Sequence, residues 1–268
     1  MKNTCRNLKS IKLAKSRNIF LIFSPKKQKE NKIEQVKKET EEKIQEKVYL
    51  MGKFDPSERE DFILIPEQYA VDQKNQNKMY LRKETFDAFL KMQHAALLDK
   101  IDLKIASATR NFNYQKDIWN RKWTGYTLVE GKNLVKSIPD GLTRFKKILE
   151  YSSVPGTSRH HWGSDLDIND ANTEYFEKES GKKVYDWLVE NAWMFGFCQP
   201  YNPKGTNRQT GYNEEKWHWS YLPLAKTFTE EYKNLITDAD IVGFDGDQYV
   251  TGQNLIDNHV LGINPDCL

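Results

Sequence analysis

The chain has 268 residues, of which 38% are hydrophobic and 12% aromatic, and its formal net charge at pH 7 is +3. This length and apolar content are sufficient for one substantial hydrophobic core, and we predict one folded domain preceded by a tail. No stretch of the sequence approaches the ~20 consecutive apolar residues of a membrane-spanning helix, which excludes an integral membrane span.

The positive charge is concentrated at the start of the chain. Residues 1–48 contain 14 Lys and Arg but 6 Asp and Glu, so this part carries a net charge of +8 and the rest carries −5. A basic tail can bind nucleic acid or an anionic membrane surface. No aromatic residue lies among the lysines between Pro25 and Lys47, which favours a solvated leader and no nucleic-acid partner.

This leader lacks the features of a core helix and of a secretory signal. Residues 31–47 are rich in helix formers, but only three of them are apolar, a stripe too thin to pack against a core. The apolar run 19–23 is shorter than the ~7–15 residues of a signal peptide, so no convincing export signal is present. We predict a basic, poorly ordered leader or spacer over residues 1–47 and a folded domain over residues 48–268.

Hydrophobic spacing predicts the elements of this domain in chain order. The predicted helices, with their core-facing residues, are 83–98 (Phe86, Phe89, Leu90, Leu97), 141–151 (Leu142, Phe145, Ile148, Leu149), 184–194 (Val184, Leu188) and a last helix through Leu224, Phe228 and Tyr232. Alternating patterns predict strands over 101–107 and 217–221. After the first strand, we predict that Asn113 caps a helix and that Arg110 and Gln115 point into a common cleft.

The stretch with the clearest chemistry runs from Ser158 to Asp167 and contains two imidazoles and two carboxylates around Gly163. Nitrogen and oxygen donors in this combination are typical zinc ligands. Because catalytic zinc usually takes three protein ligands and one water, a further ligand is needed from elsewhere. His218 supplies a nitrogen, and Glu215, three positions earlier, is a carboxylate that can act on the water.

These residues resemble the signature of the VanY-type zinc D-alanyl-D-alanine carboxypeptidase family. That family also includes D-Ala-D-Ala dipeptidases, L,D-carboxypeptidases and related endolysin peptidases. The matching positions are Ser158, His160, Gly163, Asp167, Glu215, Trp217 and His218. The family usually has a small residue where this chain has Asp165. The resemblance implies an α+β fold, Hedgehog/D,D-peptidase-like, in which a small antiparallel sheet carries the zinc site and helices flank it.

The resemblance also selects among the candidate ligands. Spacing alone does not distinguish Asp165 from Asp167, because residues two apart in a strand share a face. The family pattern implies one Zn²⁺ ion, chooses Asp167 over Asp165 and likewise chooses His160 over His161. The implied metal ligands are therefore His160, Asp167 and His218. Glu215 is the implied general base, and the residues implied in substrate binding are Arg110, Gln115, Ser158 and Trp217.

The predicted function is that of a zinc-dependent metallo-carboxypeptidase that hydrolyses peptidoglycan stem peptides, with D-alanyl-D-alanine carboxypeptidase as the leading activity. L,D-carboxypeptidase, D-Ala-D-Ala dipeptidase and L-Ala-D-Glu endopeptidase activities stay open, because these enzymes share the same residues. A non-catalytic, zinc-stabilised binding module is the alternative from another class. Glu215 argues against it, since a closed structural site has no use for an unliganded carboxylate.

The location and the state of the cysteines are expectations of the same kind. We expect a monomer in the cell envelope or periplasm, where the substrate of the family lies. Cys5 falls in the leader, whereas Cys198 and Cys267 fall in the folded domain. In an oxidising compartment these two form a disulfide, and otherwise they are two buried thiols.

Overall fold

The computed structural model of the protein describes residues 25–71 and 78–268. Residues 1–24 of the predicted leader, with Cys5 and the short apolar run, lie outside the described residues. The chain divides into two compact units, Met1–Glu42 and Lys43–Leu268. No helix within the described ranges is both long enough and apolar enough to cross a membrane.

The first unit contains the beginning of helix α1 (Pro25–Leu50), and the last turns of this helix belong to the second unit. Side chains over residues 37–46 are exposed, as expected for a helix with so few apolar positions. At the end of the helix, Leu50 is fully buried in the core of the second unit. Lys47 forms an ion pair with Asp240 at 2.8 Å within the same unit.

Short strands and helices alternate along the rest of the second unit. The remaining helices are α2 (Lys83–Leu98), α3 (Phe112–Trp123), α4 (Leu134–Ser137), α5 (Gly141–Leu149), α6 (Thr173–Glu177), α7 (Glu179–Asn191) and α8 (Leu222–Leu235). The strands are β1 (Phe62–Leu64), β2 (Tyr80–Arg82), β3 (Ile105–Ser107), β4 (Asp165–Ile168), β5 (Phe197–Cys198) and β6 (His218–Tyr221).

The larger sheet places two of the predicted ligands opposite each other. Its strand order is β3-β4-β6-β5, and every neighbouring pair is antiparallel. Within it, Asp167 of β4 is paired with His218 of β6, and Asp165 is paired with Ser220. All four residues of β4 are buried. The predicted α+β fold, with a small antiparallel sheet flanked by helices, is confirmed.

Two hydrophobic clusters support this sheet. One contains Leu166 and Trp219 from the central strands, together with Phe89 of α2 and Leu188 of α7. The other contains Trp119, Phe145, Trp162 and Tyr232, which come from α3, α5, the turn before β4 and α8. Together they bury the loop between α5 and β4 and hold the strands that carry the site.

The predicted core faces are mostly correct, with two exceptions. Leu97 of α2 is 46% exposed and Leu142 of α5 is 36% exposed, although both were predicted to face the core. Leu97 lies at the edge of the buried stripe of α2, since Ala96 beside it is fully buried, and Leu142 lies in the first turn of α5. In α2 the inward positions are instead completed by Met92 and Ala96.

Helix α3 begins earlier than predicted, and its N-cap is Asn111 rather than Asn113. Asn111 has an extended backbone, and its side-chain oxygen accepts a hydrogen bond from the backbone N–H of Tyr114 at 2.9 Å. Both asparagines lie in the same polar stretch, so the sequence did not distinguish them. The earlier start places Gln115 inside the first turn of the helix, where it is buried.

The C-terminal segment contributes side chains to the hydrophobic core. Val250, Leu255 and Val260 are buried in the same cluster as Trp119. The final turn is tied to β5 by a disulfide between Cys198 and Cys267, whose Cα atoms are 5.7 Å apart. Of the two possibilities left open by the sequence, the structure shows the disulfide.

Candidate metal centre

Three buried side chains from separate elements converge on one point. His160 lies in the turn before β4, Asp167 lies in β4, and His218 begins β6. Each offers one ligand atom, and these atoms all lie within 4.8 Å of one another. We call His160, Asp167 and His218 the group of three. They are the residues selected by the signature, and their nitrogen and oxygen donors suit zinc.

The hydrogen bonds of His160 determine which ring nitrogen faces this point. Its Nδ1 lies 2.9 Å from the backbone oxygen of Ala108, which can only accept, so Nδ1 carries the hydrogen. Nε2 therefore presents a lone pair, 3.3 Å from Oδ1 of Asp167. Both atoms are buried, and neither has a hydrogen-bond partner among the described residues. Two acceptors facing each other in this way need a cation between them, so the site fits a metal ion.

His218 completes the group and is flanked by carboxylates. Its Nε2 lies 2.9 Å from Oδ2 of Asp165, and its Nδ1 lies 2.9 Å from Oε2 of Glu215 and 3.9 Å from Oδ1 of Asp167. Burial disfavours a charge on the ring, but the hydrogen bonds to Asp165 and Glu215 outweigh it and raise the pKa of His218 to about 9. The surroundings of the ring therefore favour positive charge.

His161 and Asp165, which spacing alone did not exclude as metal ligands, form hydrogen bonds with other residues. Both nitrogens of His161 are used, because Nδ1 lies 2.5 Å from the backbone oxygen of Arg110 and Nε2 accepts from the backbone N–H of Gly156 at 3.0 Å. Burial lowers the pKa of His161 to about 3, so the ring is neutral. Asp165 faces the far side of His218. Neither residue belongs to the group of three.

A cleft of about 380 Å³ lies beside the group and is lined by Glu215, Trp217 and Lys122. Lys122 is not among the site residues predicted from the sequence. The one available signal is its spacing of seven residues from Gln115, which puts both on one face of α3. Its amino group donates to the hydroxyl of Ser152. Burial and the charge of Arg110 lower the pKa of Lys122 to about 8, against an opposing effect of Glu215.

The predicted substrate-binding residues have buried polar atoms without partners. Among the described residues, these atoms include Nε of Arg110, Oε1 of Gln115 and Oγ of Ser158. Arg110 also lies 3.8 Å from Asp167, measured from Nη2 to Oδ2. Buried polar groups are rarely left unpaired in folded proteins, so these atoms are candidates for contact with a ligand.

The same criterion adds Tyr212, which sequence analysis missed. Its hydroxyl is buried near Ser153 and Thr157, but among the described residues it makes no hydrogen bond of ordinary geometry. The ring packs edge-on against Tyr201, which in turn packs edge-on against His218. A tyrosine three positions before Glu215 carries no signal by itself, since most tyrosines in such a loop are structural.

Comparison with known proteins agrees with the signature. Residues 78–224 match the family model VanY, described as D-alanyl-D-alanine carboxypeptidase. The D-alanyl-D-alanine carboxypeptidase of Enterococcus faecalis is 30% identical over 170 residues, which cover 60% of this chain and 55% of that protein. This chain spans little more than half the length of the curated relatives that it matches.

Solved structures of the same kind are also similar. One of them is a mutant of the vancomycin resistance D,D-pentapeptidase VanY from a VanB-type resistance cassette, in complex with Zn(II). Its sequence is 26% identical, the match covers 70% of this chain and 94% of that chain, and the TM-score is 0.44. The LdcB LD-carboxypeptidase is 24% identical, with 72% and 78% covered and a TM-score of 0.46. Since the family model covers more than half of the chain, the chain belongs to the VanY D-alanyl-D-alanine carboxypeptidase family.

Proposed function

We propose that this protein is a zinc peptidase that hydrolyses peptidoglycan stem peptides, with D-alanyl-D-alanine carboxypeptidase as the leading activity. The observation that carries the proposal is the pair of buried acceptors, Nε2 of His160 and Oδ1 of Asp167, that face each other at 3.3 Å with His218 beside them. Because the proposed substrate, peptidoglycan, lies in the cell envelope, we propose that the protein acts there as a monomer.

The three side chains would hold one zinc ion and leave a fourth position for water, as in catalytic zinc sites. Zinc bound there lowers the pKa of a water ligand towards ~7. Glu215 is suited to accept the proton, since its carboxylate lines the cleft, is 25% exposed and contacts His218. The same carboxyl group can then deliver the proton to the leaving amine.

Arg110, Gln115 and Ser158 supply the complementary polar groups. A planar guanidinium matches the two oxygens of a terminal carboxylate, and an unpaired hydroxyl can donate to an oxyanion. A substrate carboxylate would satisfy the two donors, Nε of Arg110 and the hydroxyl of Ser158, whereas Oε1 of Gln115 accepts and would take an N–H of the substrate. Trp217 forms one wall of the cleft, which would restrict the side chains that fit.

The zinc-stabilised binding module is disfavoured by the donor count. A closed structural site takes four protein ligands, whereas the group found among the described residues has three members. Glu215 contacts His218 and lines the cleft, but it is not a member of that group. Carboxypeptidase, dipeptidase and endopeptidase activities all remain compatible with this arrangement.

The decisive experiment measures zinc content and peptide hydrolysis on the same samples. Wild-type protein should bind one equivalent of zinc and release product from a pentapeptide stem, which mass spectrometry identifies; a tetrapeptide stem tests the L,D-activity. Glu215→Gln should retain zinc while kcat falls by about 10²–10⁴, the usual contribution of a general base. His218→Ala should lose zinc, and equal zinc content in that variant would refute the ligand assignment.

Glu214→Gln is a matched control for the loss of one carboxylate. Glu214 is adjacent in sequence and also lines the cleft, but its Oε1 already accepts a hydrogen bond from the hydroxyl of Tyr185 at 3.1 Å. We expect near-normal hydrolysis from this control. If zinc-loaded Glu215→Gln hydrolyses stem peptides at the wild-type rate, the binding module becomes the better explanation of the site.

A further inference from the structure

The reaction proposed above makes no use of the buried ion pair behind His218. Nε of Arg159 donates to Oδ2 of Asp165 at 3.0 Å, and both side chains are completely buried. Burying two charges costs desolvation energy, and well-packed apolar residues of similar volume are often at least as stable. Stability alone therefore does not explain why this chain has a carboxylate where its family usually has a small residue.

Asp165 has all of its acceptor positions filled by protein donors. Oδ1 accepts from the hydroxyls of Ser164 at 2.7 Å and Ser220 at 2.8 Å. Oδ2 accepts from Arg159 and lies 2.9 Å from Nε2 of His218. A carboxylate has about four lone-pair positions, so this one has none left for a metal ion. It is held by three neighbours and presents its remaining position to His218.

Arg159 is fixed just as completely. Its Nη1 donates to the hydroxyl of Thr229 at 3.0 Å, and its Nη2 donates to the hydroxyl of Ser220 at 2.9 Å. The guanidinium also lies over the ring of Trp162, 4.8 Å from the ring centroid. The pair is thus a rigid unit, anchored in α8 and β6, and one of its carboxylate oxygens faces His218 in the group of three.

We propose that Asp165, held by Arg159, is a positioning residue that fixes the ring of His218 for metal binding. Because a carboxylate oxygen only accepts, Nε2 carries a hydrogen. Nδ1 is the nitrogen on the side of the group, 2.9 Å from Oε2 of Glu215 and 3.9 Å from Oδ1 of Asp167, so a metal ion bound there would replace the hydrogen that Nδ1 shares with Glu215. Carboxylates placed in this way orient ligand histidines and increase their basicity. The inference rests on the proposed function, since it assigns Nδ1 of His218 to zinc.

Two double variants separate positioning from stability. Arg159→Met is present in both, so neither variant buries an unpaired guanidinium. It is combined with Asp165→Asn, which keeps an oxygen for Nε2 of His218 while its amide donates to the serine hydroxyls. In the second variant it is combined with Asp165→Leu, which has a similar shape and no acceptor. The two proteins therefore differ in the hydrogen bond to His218 and in the contacts with the hydroxyls of Ser164 and Ser220.

The readouts are zinc affinity, measured by competition with a chromophoric chelator, and the visible spectrum of the cobalt-substituted protein. We expect the Asn variant to bind zinc close to the wild-type level and the Leu variant to bind about 10- to 100-fold more weakly, the usual loss when such a partner is removed. The cobalt spectrum should change in the Leu variant. Equal zinc affinities and spectra in the two variants would overturn the positioning role, whereas a wild-type protein without zinc affinity would overturn the proposed function itself.

Nuclear magnetic resonance of the zinc-loaded wild-type protein tests the same point should the Leu variant fail to fold. Long-range ¹H–¹⁵N spectra distinguish the two ring nitrogens of each of the five histidines. For His218 we expect a slowly exchanging hydrogen on Nε2 and a metal-shifted Nδ1. A metal-shifted Nε2 on this residue would overturn the inference, because Asp165 would then have no hydrogen to accept.

Discussion

Lys122 offers a test of the cleft that does not depend on metal or substrate. Burial, with the nearby charge of Arg110, lowers the pKa of its amino group from 10.5 to about 8. In the unfolded chain the same group keeps its proton up to the higher value. Between these two pH values the unfolded state therefore binds more protons than the folded state, so the free energy of unfolding rises with pH across this window.

The size of this effect follows from the distance between the two pKa values. A difference from about 8 to 10.5 corresponds to at most ~3.5 kcal/mol, at about 1.4 kcal/mol per pH unit. Lys122→Met keeps most of the length and packing of the side chain but cannot titrate. We expect the stability difference between Lys122→Met and the wild type to fall by up to ~3.5 kcal/mol as pH rises from 8 to 10.5. Below pH 8 the difference should be constant.

Urea unfolding at a series of pH values between 7 and 10.5 measures this difference. Lys136→Met is the matched control for the loss of one lysine, because Lys136 is exposed at the surface in α4. Other lysines and tyrosines that titrate in this range cancel in the comparison. If wild type and Lys122→Met show parallel pH profiles, the cleft does not desolvate this amino group, and the arrangement of Lys122 beside Glu215 is wrong.

Two further predictions concern the frame around the site. The disulfide between Cys198 and Cys267 closes a loop with a sequence separation of 69, for which chain entropy predicts ~4 kcal/mol of stabilisation. Urea unfolding of the Cys198→Ser/Cys267→Ser protein measures this value. An unchanged unfolding midpoint would contradict the prediction. Removal of residues 1–42 should leave the melting temperature of the second unit unchanged, whereas a deletion extended through Leu50 should lower it, because Leu50 is fully buried and Lys47 pairs with Asp240.

Much of the fold could be predicted because its elements have strong local signals. Helix α2 has the predicted bounds, and β6 begins within one residue of the predicted strand. Periodicity does not define how wide or how long the packed surface of a neighbouring element is. Leu97, at the edge of the buried stripe of α2, and Leu142, in the first turn of α5, are therefore more exposed than predicted. Similarly, two asparagines near one helix start are equivalent in the sequence, and only the hydrogen bond to Tyr114 distinguishes them.

The candidate site shows the same division between local signal and tertiary contact. Donor types and spacing indicated a zinc-like stretch, and the family signature selected His160, Asp167 and His218, which the structure brings together. Lys122 and Tyr212 were missed because their relevance comes from burial beside the cleft. Burial of a single lysine or tyrosine leaves no periodic pattern in the sequence.

Asp165 shows why spacing could not assign roles within the stretch. Asp165 and Asp167 are two apart in β4 and share a face, so both approach His218, but from opposite sides of its ring. The difference is the number of donors that each meets: Asp165 is saturated by Arg159, Ser164, Ser220 and His218, whereas Asp167 keeps an unpartnered oxygen. A saturated carboxylate can only orient its neighbour, and an unsaturated one can bind a cation. The two proposed roles thus depend on residues that lie up to 55 positions away in the chain.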